Sequence, residues 1–140
     1  DTLSLHDALP ILRALGRRRD GQPWAVGIDA PDDGQRGRHS VVALDDMAIA
    51  TSGDYRHFVT VGTARLSHTI DPQRGAPLID APASVTVLSA SCMMADALAT
   101  ALMVMGVKTG AEFATGQGIS ALFLLRRAGS VVPVGTGIFA

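Results

Sequence analysis

Two polar side chains interrupt the otherwise apolar segment ADALATALMVMG, which covers residues 95–106. They are Asp96 and Thr100, and a helix would place them one turn apart on the same face because they are four residues apart. Mg²⁺ prefers oxygen ligands and usually takes one or two protein carboxylates together with phosphate and water oxygens. The pair therefore predicts part of a magnesium site that faces a phosphate-containing ligand.

The same pair also has a purely structural interpretation. An aspartate close to the beginning of a helix is favoured by the helix dipole. A helical threonine can donate a hydrogen bond to a carbonyl one turn earlier in the chain. The spacing of Asp96 and Thr100 alone does not decide between the two interpretations.

A histidine in the segment SHTIDPQRG is a candidate general base, since the ordinary pKa of an imidazole lies close to neutral pH. On an alternating strand, His68 would share a face with Leu66 and Ile70. A histidine on such an apolar face is also commonly a core residue. Asp71, which precedes a proline, is typical of a turn closed by an aspartate side chain.

A third candidate lies in ATSGDY, where small residues follow an apolar strand. We predict a turn at Thr51, Ser52 and Gly53, whose backbone N–H groups could approach a phosphate closely. An ordinary turn without a ligand explains the same residues.

The bulk composition indicates one globular domain. The chain has 140 residues, 47% of them hydrophobic and 18% charged, with a net charge of −1. The sequence has no basic stripe interleaved with aromatic residues, so nothing in it indicates nucleic-acid binding. The single cysteine, Cys92, excludes an intrachain disulfide and a cysteine-based metal cluster. No apolar run approaches the roughly 18 residues of a membrane span, so we predict no transmembrane segment.

The elements that would position these residues form an α+β pattern. A helix is predicted from Cys92 to Met105, with Ser91 as its N-cap and Gly106 just beyond its end, and KTGAEFATGQ could hold a second, short helix. SVTVLS is predicted as a buried strand, and ISALFLLRR and SVVPVG as two closing strands. Two hairpins are predicted: LRALG with PWAVGID, and HFVTVG with ARLSHTID. QRGAPLIDAPA is predicted as a loop.

The first eleven residues, DTLSLHDALPI, resemble a translated sequencing adapter of the kind found at the ends of genes from metagenomes. We therefore predict that residues 1–11 are a non-native leader. Residues 12–140 would then be the C-terminal part of a single domain whose native beginning is missing.

Five spaced segments together resemble the ApbE-type flavin transferases (FAD:protein FMN transferases): PWAVGI, AIATSGDY, SHTIDPQRG, SVTVLS and ADALATALMVMG. They occur in the family's order, and the resemblance extends from about Leu12 to the end of the chain. It implies an N-terminally truncated, ApbE-like (T-fold-like) domain of the α+β class, with a mostly antiparallel sheet packed with helices. By resemblance the protein would act in the cell envelope or periplasm.

The resemblance implies Mg²⁺-dependent transfer of FMN from FAD to a Thr or Ser hydroxyl of an acceptor protein, with release of AMP. By resemblance, His68 matches the family's catalytic base. Asp96 and Thr100 match its metal ligands, and Thr51, Ser52 and Gly53 match its flavin-site positions. Where the family usually reads DPRTG this chain reads DPQRG, so Gln73 replaces an arginine. Arg74 could supply that charge, although in an extended segment it would project to the other side.

Two alternatives to the transferase stay open at this stage. The same site could hydrolyse FAD to FMN and AMP, as some family members do, with water replacing the protein hydroxyl. A flavin-binding module without turnover is the other alternative, although a base beside a metal site argues against it. We also expect the 140-residue chain on its own to be inactive or to aggregate, since strands lacking their partners expose apolar surface.

Overall fold

The computed structural model describes residues 3–4, 11–31, 37–54, 58–62, 64–127 and 129–140. The strands are β1 (Leu3–Ser4), β2 (Ile11–Arg13), β3 (Trp24–Asp29), β4 (Arg38–Leu44), β5 (Ala48–Gly53), β6 (Phe58–Val61), β7 (Ala64–Ser67), β8 (Ile70–Asp71), β9 (Ala76–Pro77), β10 (Ser84–Ser89), β11 (Ser120–Arg127) and β12 (Ser130–Thr136). The helix α1 spans Cys92–Gly116, and a short 3-10 helix spans Gly137–Phe139.

The largest sheet has five antiparallel strands in the order β12-β11-β10-β5-β2. The predicted buried strand SVTVLS is its central strand, β10, and residues 84–88 of that strand are buried. A second sheet has the order β1-β3-β4, in which β1 is parallel and β4 antiparallel to β3. The predicted α+β class with a mostly antiparallel sheet is confirmed.

The five-stranded sheet lies between α1 on one face and the three-stranded sheet on the other. Alternating side chains from its strands fill both interfaces, as expected for a sheet covered on both sides. The interface with the three-stranded sheet contains Val26, Ile28, Val42, Leu44, Ile49, Leu88, Leu122 and Leu124. The interface with α1 contains Val85, Val87, Ala99, Leu102, Met103, Ala121 and Phe123.

The two ends of the first helical segment are those predicted from sequence. The Ser91 hydroxyl accepts a hydrogen bond from the backbone N–H of Met94, which caps the N-terminus. At Gly106 the backbone leaves helical geometry, with φ 74° and ψ 171°. Helical structure then resumes up to Gly116, so the predicted second helix is confirmed as the continuation of α1 beyond this break.

Within the described part of the chain, one helix, α1, has the length and apolar composition that could cross a membrane. Core helices of globular domains satisfy the same criterion. Here Ala95, Ala99 and Leu102 are buried against the five-stranded sheet, and the backbone is broken at Gly106. We therefore interpret α1 as the core helix of the domain.

The prediction that LRALG and PWAVGID form a hairpin is wrong. Strand β2 pairs with β5 in the five-stranded sheet, whereas β3 pairs with β4 and β1 in the other sheet. The connection at residues 14–23 therefore crosses between layers. The turn-forming residues in that connection do not indicate the strands with which β2 and β3 pair.

The second predicted hairpin is confirmed, because β6 and β7 pair antiparallel. Its second strand is shorter than predicted and ends at Ser67, whose hydroxyl accepts a hydrogen bond from the N–H of Thr69 at 3.1 Å. His68 therefore lies in a bend, and its predicted place on a strand face with Leu66 and Ile70 is wrong. Part of the predicted QRGAPLIDAPA loop is strand β9, which pairs with β8.

The predicted leader, residues 1–11, lies outside the described residues except at residues 3–4 and 11. Residues 3–4 form β1 beside β3, and Ile11 begins β2 beside β5. The assignment of this segment as a non-native leader stays a prediction.

Candidate functional site

The predicted metal ligands lie on the first helical segment of α1, at the edge of its buried face. Ala95 and Ala99 are fully buried, whereas the residue after each of them, Asp96 and Thr100, is exposed. One helical turn separates the two polar side chains, as their spacing predicts. The helix therefore fixes a carboxylate and a hydroxyl along one surface-facing line.

Strand β5 brings a third oxygen to this line. Its alternate residues Ala48 and Ala50 face α1 and pack with Ala95, and their small size lets the helix lie close to the strand. Two residues further along the same strand face, the Ser52 hydroxyl lies 2.9 Å from the Thr100 hydroxyl. The two residues are 48 positions apart in sequence, so no local pattern could have predicted this contact.

The neighbouring residue Thr51 points to the opposite face of the sheet. Its hydroxyl lies 2.8 Å from that of Thr86, which is completely buried. The ladder with β10 continues through Gly53, which pairs with Ser84. The predicted turn at residues 51–53 is therefore wrong: these residues are the last part of a strand, and their backbone extends the sheet. Their contact with a flavin stays a prediction.

An ion pair that no sequence pattern indicated holds the end of β5. The Arg126 guanidinium lies 2.7 Å from the Asp54 carboxylate, which is almost fully buried. The backbone N–H of Asp54 also donates to the carbonyl of Ala83. These contacts fasten the chain just after Ser52 to the residue that precedes the neighbouring strand β10, and to β11 on the far side of β10. The partners are 72 residues apart, so only the fold reveals them.

The candidate base, His68, is exposed, and it lies on a different element from the oxygen cluster formed by Ser52, Asp96 and Thr100. His68 follows β7 in the bend that leads to β8, where the N–H of Leu78 donates to the carbonyl of Thr69. The structure therefore joins Ser52 directly to Thr100 and carries His68 on a separate pair of small hairpins. The role of His68 stays a prediction from the resemblance.

The DPQRG segment is a closed turn. The Asp71 side chain accepts from the N–H of Gln73 at 2.8 Å, as predicted, and the Asp71 carbonyl accepts from the N–H of Gly75. Gln73 and Arg74 are both exposed. Since the segment is not extended, strand alternation does not determine the direction of Arg74.

The donor set at α1 suits Mg²⁺. Asp96 provides a carboxylate and Thr100 a hydroxyl, both of them hard oxygen donors that are open to solvent. The described residues contain no group of three or more His, Cys, Asp or Glu side chains that could hold a metal. Mg²⁺ commonly takes one or two protein ligands of this kind and completes its coordination with water and substrate phosphate oxygens.

Comparison with known proteins agrees with this fold. The sequence model of the ApbE family matches residues 11–123. Among curated relatives, the FAD:protein FMN transferase of Vibrio cholerae is 44% identical over 115 residues, and that of Haemophilus influenzae is 36% identical over 116 residues. Each match covers 82% of this chain and 34% of the relative.

Solved structures of the same group superpose well. The apo form of flavinyl transferase ApbE from Pseudomonas stutzeri has a TM-score of 0.77 and 42% identity, covering 91% of this chain and 39% of that chain. The ApbE protein of Thermotoga maritima also has a TM-score of 0.77, with 28% identity, covering 90% and 40%.

The fold thus defines a flavin-transferase-like α+β domain with an oxygen cluster between its helix and its sheet. The chain belongs to the ApbE family. It spans about a third of the length of the curated relatives that it matches.

Proposed function

We propose that this chain carries the magnesium-binding and phosphate-facing part of an FAD:protein FMN transferase. The observation that carries the proposal is the exposed carboxylate and hydroxyl of Asp96 and Thr100, one turn apart beside the end of β5. It is supported by 44% identity to a relative of that name.

In the proposed reaction, a Thr or Ser hydroxyl of the acceptor protein attacks the FMN phosphorus of FAD. A new phosphoester bond forms to the acceptor, the bond to the bridging pyrophosphate oxygen breaks, and AMP leaves with that oxygen. Phosphoryl chemistry of this kind depends mainly on positioning and on stabilising negative charge. The acceptor hydroxyl must also lose its proton.

Asp96 and Thr100 are the residues of this chain that would hold Mg²⁺. When bound there, Mg²⁺ would supply positive charge that offsets the charge developing on the pyrophosphate oxygens. The rigid packing of Ala95 and Ala99 against the sheet keeps both ligands in place without a large rearrangement. Asp96 contributes the negative charge that attracts the cation.

His68 is the proposed acceptor of the hydroxyl proton. Its place in an exposed bend leaves it accessible to an incoming acceptor segment. A well-placed general base typically contributes about 10²–10⁴ in rate. We therefore expect His68→Asn to lower transfer by about that factor while leaving metal binding unchanged.

The direct test measures two products at once. The 140-residue chain, and a chimera in which residues 11–123 replace the matching segment of the Vibrio cholerae relative, are incubated with FAD, Mg²⁺ and peptides that carry one Thr or Ser. AMP release is followed by chromatography and peptide mass by mass spectrometry. Asp96→Asn is compared with Glu112→Gln, which removes an exposed carboxylate from the second segment of the same helix.

Flavin mass on a peptide, lost in Asp96→Asn and kept in Glu112→Gln, is the expected result. Metal-dependent AMP release without a flavin-labelled peptide would instead favour FAD hydrolysis. If neither protein releases AMP, both enzymatic functions are wrong and a flavin-binding module is left.

A further inference from the structure

The hydroxyl of Thr100 has a partner outside its own helix. A helical threonine commonly bonds back to a carbonyl three or four residues earlier, and its side chain divides between two rotamers for that reason. Here the Thr100 hydroxyl lies 2.9 Å from the Ser52 hydroxyl of β5. The contact with Ser52 therefore favours the rotamer that points away from the helix backbone.

A hydroxyl that ligates a cation needs a hydrogen-bond acceptor for its O–H group. The oxygen offers a lone pair to the cation and keeps its hydrogen, which the positive charge makes a stronger donor. That hydrogen needs an acceptor on the side away from the cation. Among the described residues, Ser52 has a side-chain oxygen within hydrogen-bond distance of the Thr100 hydroxyl, and it can accept this hydrogen.

We propose that Ser52 is a positioning residue for Thr100. The Ser52 oxygen accepts a hydrogen bond from the Thr100 hydroxyl. This bond selects one rotamer of Thr100 and leaves a lone pair of the Thr100 oxygen directed at the cation. The inference rests on the proposed function, because it concerns the same metal site. It assigns to Ser52 a role toward the helix, separate from the flavin contact predicted from the resemblance.

The surroundings of Ser52 suit that role. Ser52 pairs in register with Val85 of the central strand, and the next residue but one, Asp54, is held by Arg126. Its own side chain is half-buried, so its motion is restricted while the Thr100 side reaches solvent. Partners that orient a metal ligand in this way typically change metal affinity by about 10- to 100-fold.

The test measures metal affinity without any flavin. Mn²⁺ replaces Mg²⁺ as an oxygen-seeking octahedral cation that is visible by electron paramagnetic resonance. Binding is titrated in the 140-residue chain and in the Vibrio cholerae chimera, each as parent and as Ser52→Ala, Ser52→Thr, Thr100→Ala and the double Ser52→Ala/Thr100→Ala variant. Ser40→Ala is the matched control, because it removes a half-buried strand hydroxyl that contacts His39 in the other sheet.

We expect Ser52→Ala to weaken Mn²⁺ binding about tenfold, near the low end of such effects because Thr100 is exposed. Ser52→Thr keeps the hydroxyl and should restore most of the affinity. In the Thr100→Ala background, Ser52→Ala should change nothing further. A structural role of Ser52 that does not act through Thr100 would instead lower the affinity in both backgrounds.

A second measurement needs no metal. Three-bond couplings of the Thr100 methyl group report its rotamer by NMR, and they should change from one rotamer in the parent to an average in Ser52→Ala. Unchanged couplings together with unchanged Mn²⁺ affinity in Ser52→Ala would overturn the positioning role.

The proposed function fails differently. If Asp96→Asn and Thr100→Ala leave Mn²⁺ binding unaltered, or neither parent binds Mn²⁺, the metal site itself is wrong and the inference falls with it. If those two variants weaken binding and Ser52→Ala does not, only the inference is wrong.

Discussion

On each face of strand β5, one hydroxyl of the strand is hydrogen-bonded to a hydroxyl of a neighbouring element. The two pairs differ in their exposure to solvent. Thr51 and Thr86 meet at 2.8 Å on the face toward the three-stranded sheet, where Thr86 is completely buried. Ser52 and Thr100 meet at 2.9 Å on the face toward α1, where Thr100 is exposed. Almost equal distances therefore occur in very different environments.

The difference decides what each pair can do. A buried hydroxyl that loses its partner costs about 1–3 kcal/mol, because water cannot replace the lost bond. An exposed hydroxyl exchanges its partner for water at little cost. The buried pair is therefore suited to holding strands in register, and the exposed pair is suited to meeting a ligand.

The largest expected effect concerns the buried anchor of β5. Arg126→Met should lower the free energy of unfolding by about 3 kcal/mol, because it leaves the Asp54 carboxylate buried without the guanidinium. Urea unfolding measures the change. Arg127→Met is the control, since Arg127 is the exposed next residue of the same strand, and it should change stability by less than about 0.5 kcal/mol. Equal losses in both variants would contradict an anchoring role.

The next effect concerns the break in α1 that follows Asp96 and Thr100 along the helix. Gly106→Ala should cost about 2 kcal/mol, because φ 74° with ψ 171° is a conformation open essentially to glycine alone. No neighbouring atom would contact the added methyl group, so the loss would be one of backbone strain. Thermal unfolding checks it.

Gly116→Ala provides the matched control for the break in α1. Gly116 ends the helix without a positive φ, and its added methyl group also meets open space. This substitution should be neutral or slightly stabilising. If it costs as much as Gly106→Ala, strain at Gly106 is not the cause.

Much of this region follows from local chemistry and was predictable. The N-cap Ser91 and the glycine at position 106 mark their helix ends by their own conformational preferences. The spacing of Asp96 and Thr100 predicts their common face correctly. These features need only a few neighbouring residues to be recognised.

The rest depends on residues that lie far apart in sequence. Ser52 meets Thr100 only because β5 and α1 pack together, and Asp54 meets Arg126 only because β5 and β11 flank β10. The position of His68 was missed for a local reason. The Ser67 hydroxyl accepts the N–H of Thr69 and ends the strand there, a serine turn that the alternating pattern concealed.

A smaller effect is expected at the buried hydroxyl pair. Thr51→Val should cost about 1–2 kcal/mol, because it leaves the completely buried Thr86 hydroxyl without its partner. The double variant Thr51→Val/Thr86→Val replaces both hydroxyls with methyl groups of similar shape and should recover most of that loss. Urea unfolding of the two single variants and the double variant gives the coupling energy directly. Additive losses would mean that the two hydroxyls do not act as a pair.

The smallest expected effect is on the other face of the same strand. Ser52→Ala should change the free energy of unfolding by less than about 0.5 kcal/mol, because water can satisfy the exposed Thr100 hydroxyl once Ser52 is gone. The measurement is urea unfolding without metal, beside Ser40→Ala. A loss above about 1 kcal/mol would show that this pair also holds the fold, and a drop in Mn²⁺ affinity could then come from a disturbed helix. Unchanged stability combined with weaker Mn²⁺ binding would assign the Ser52 hydroxyl to the ligand site. Loss of a hydroxyl hydrogen bond would then lower stability on one face of β5 and metal affinity on the other.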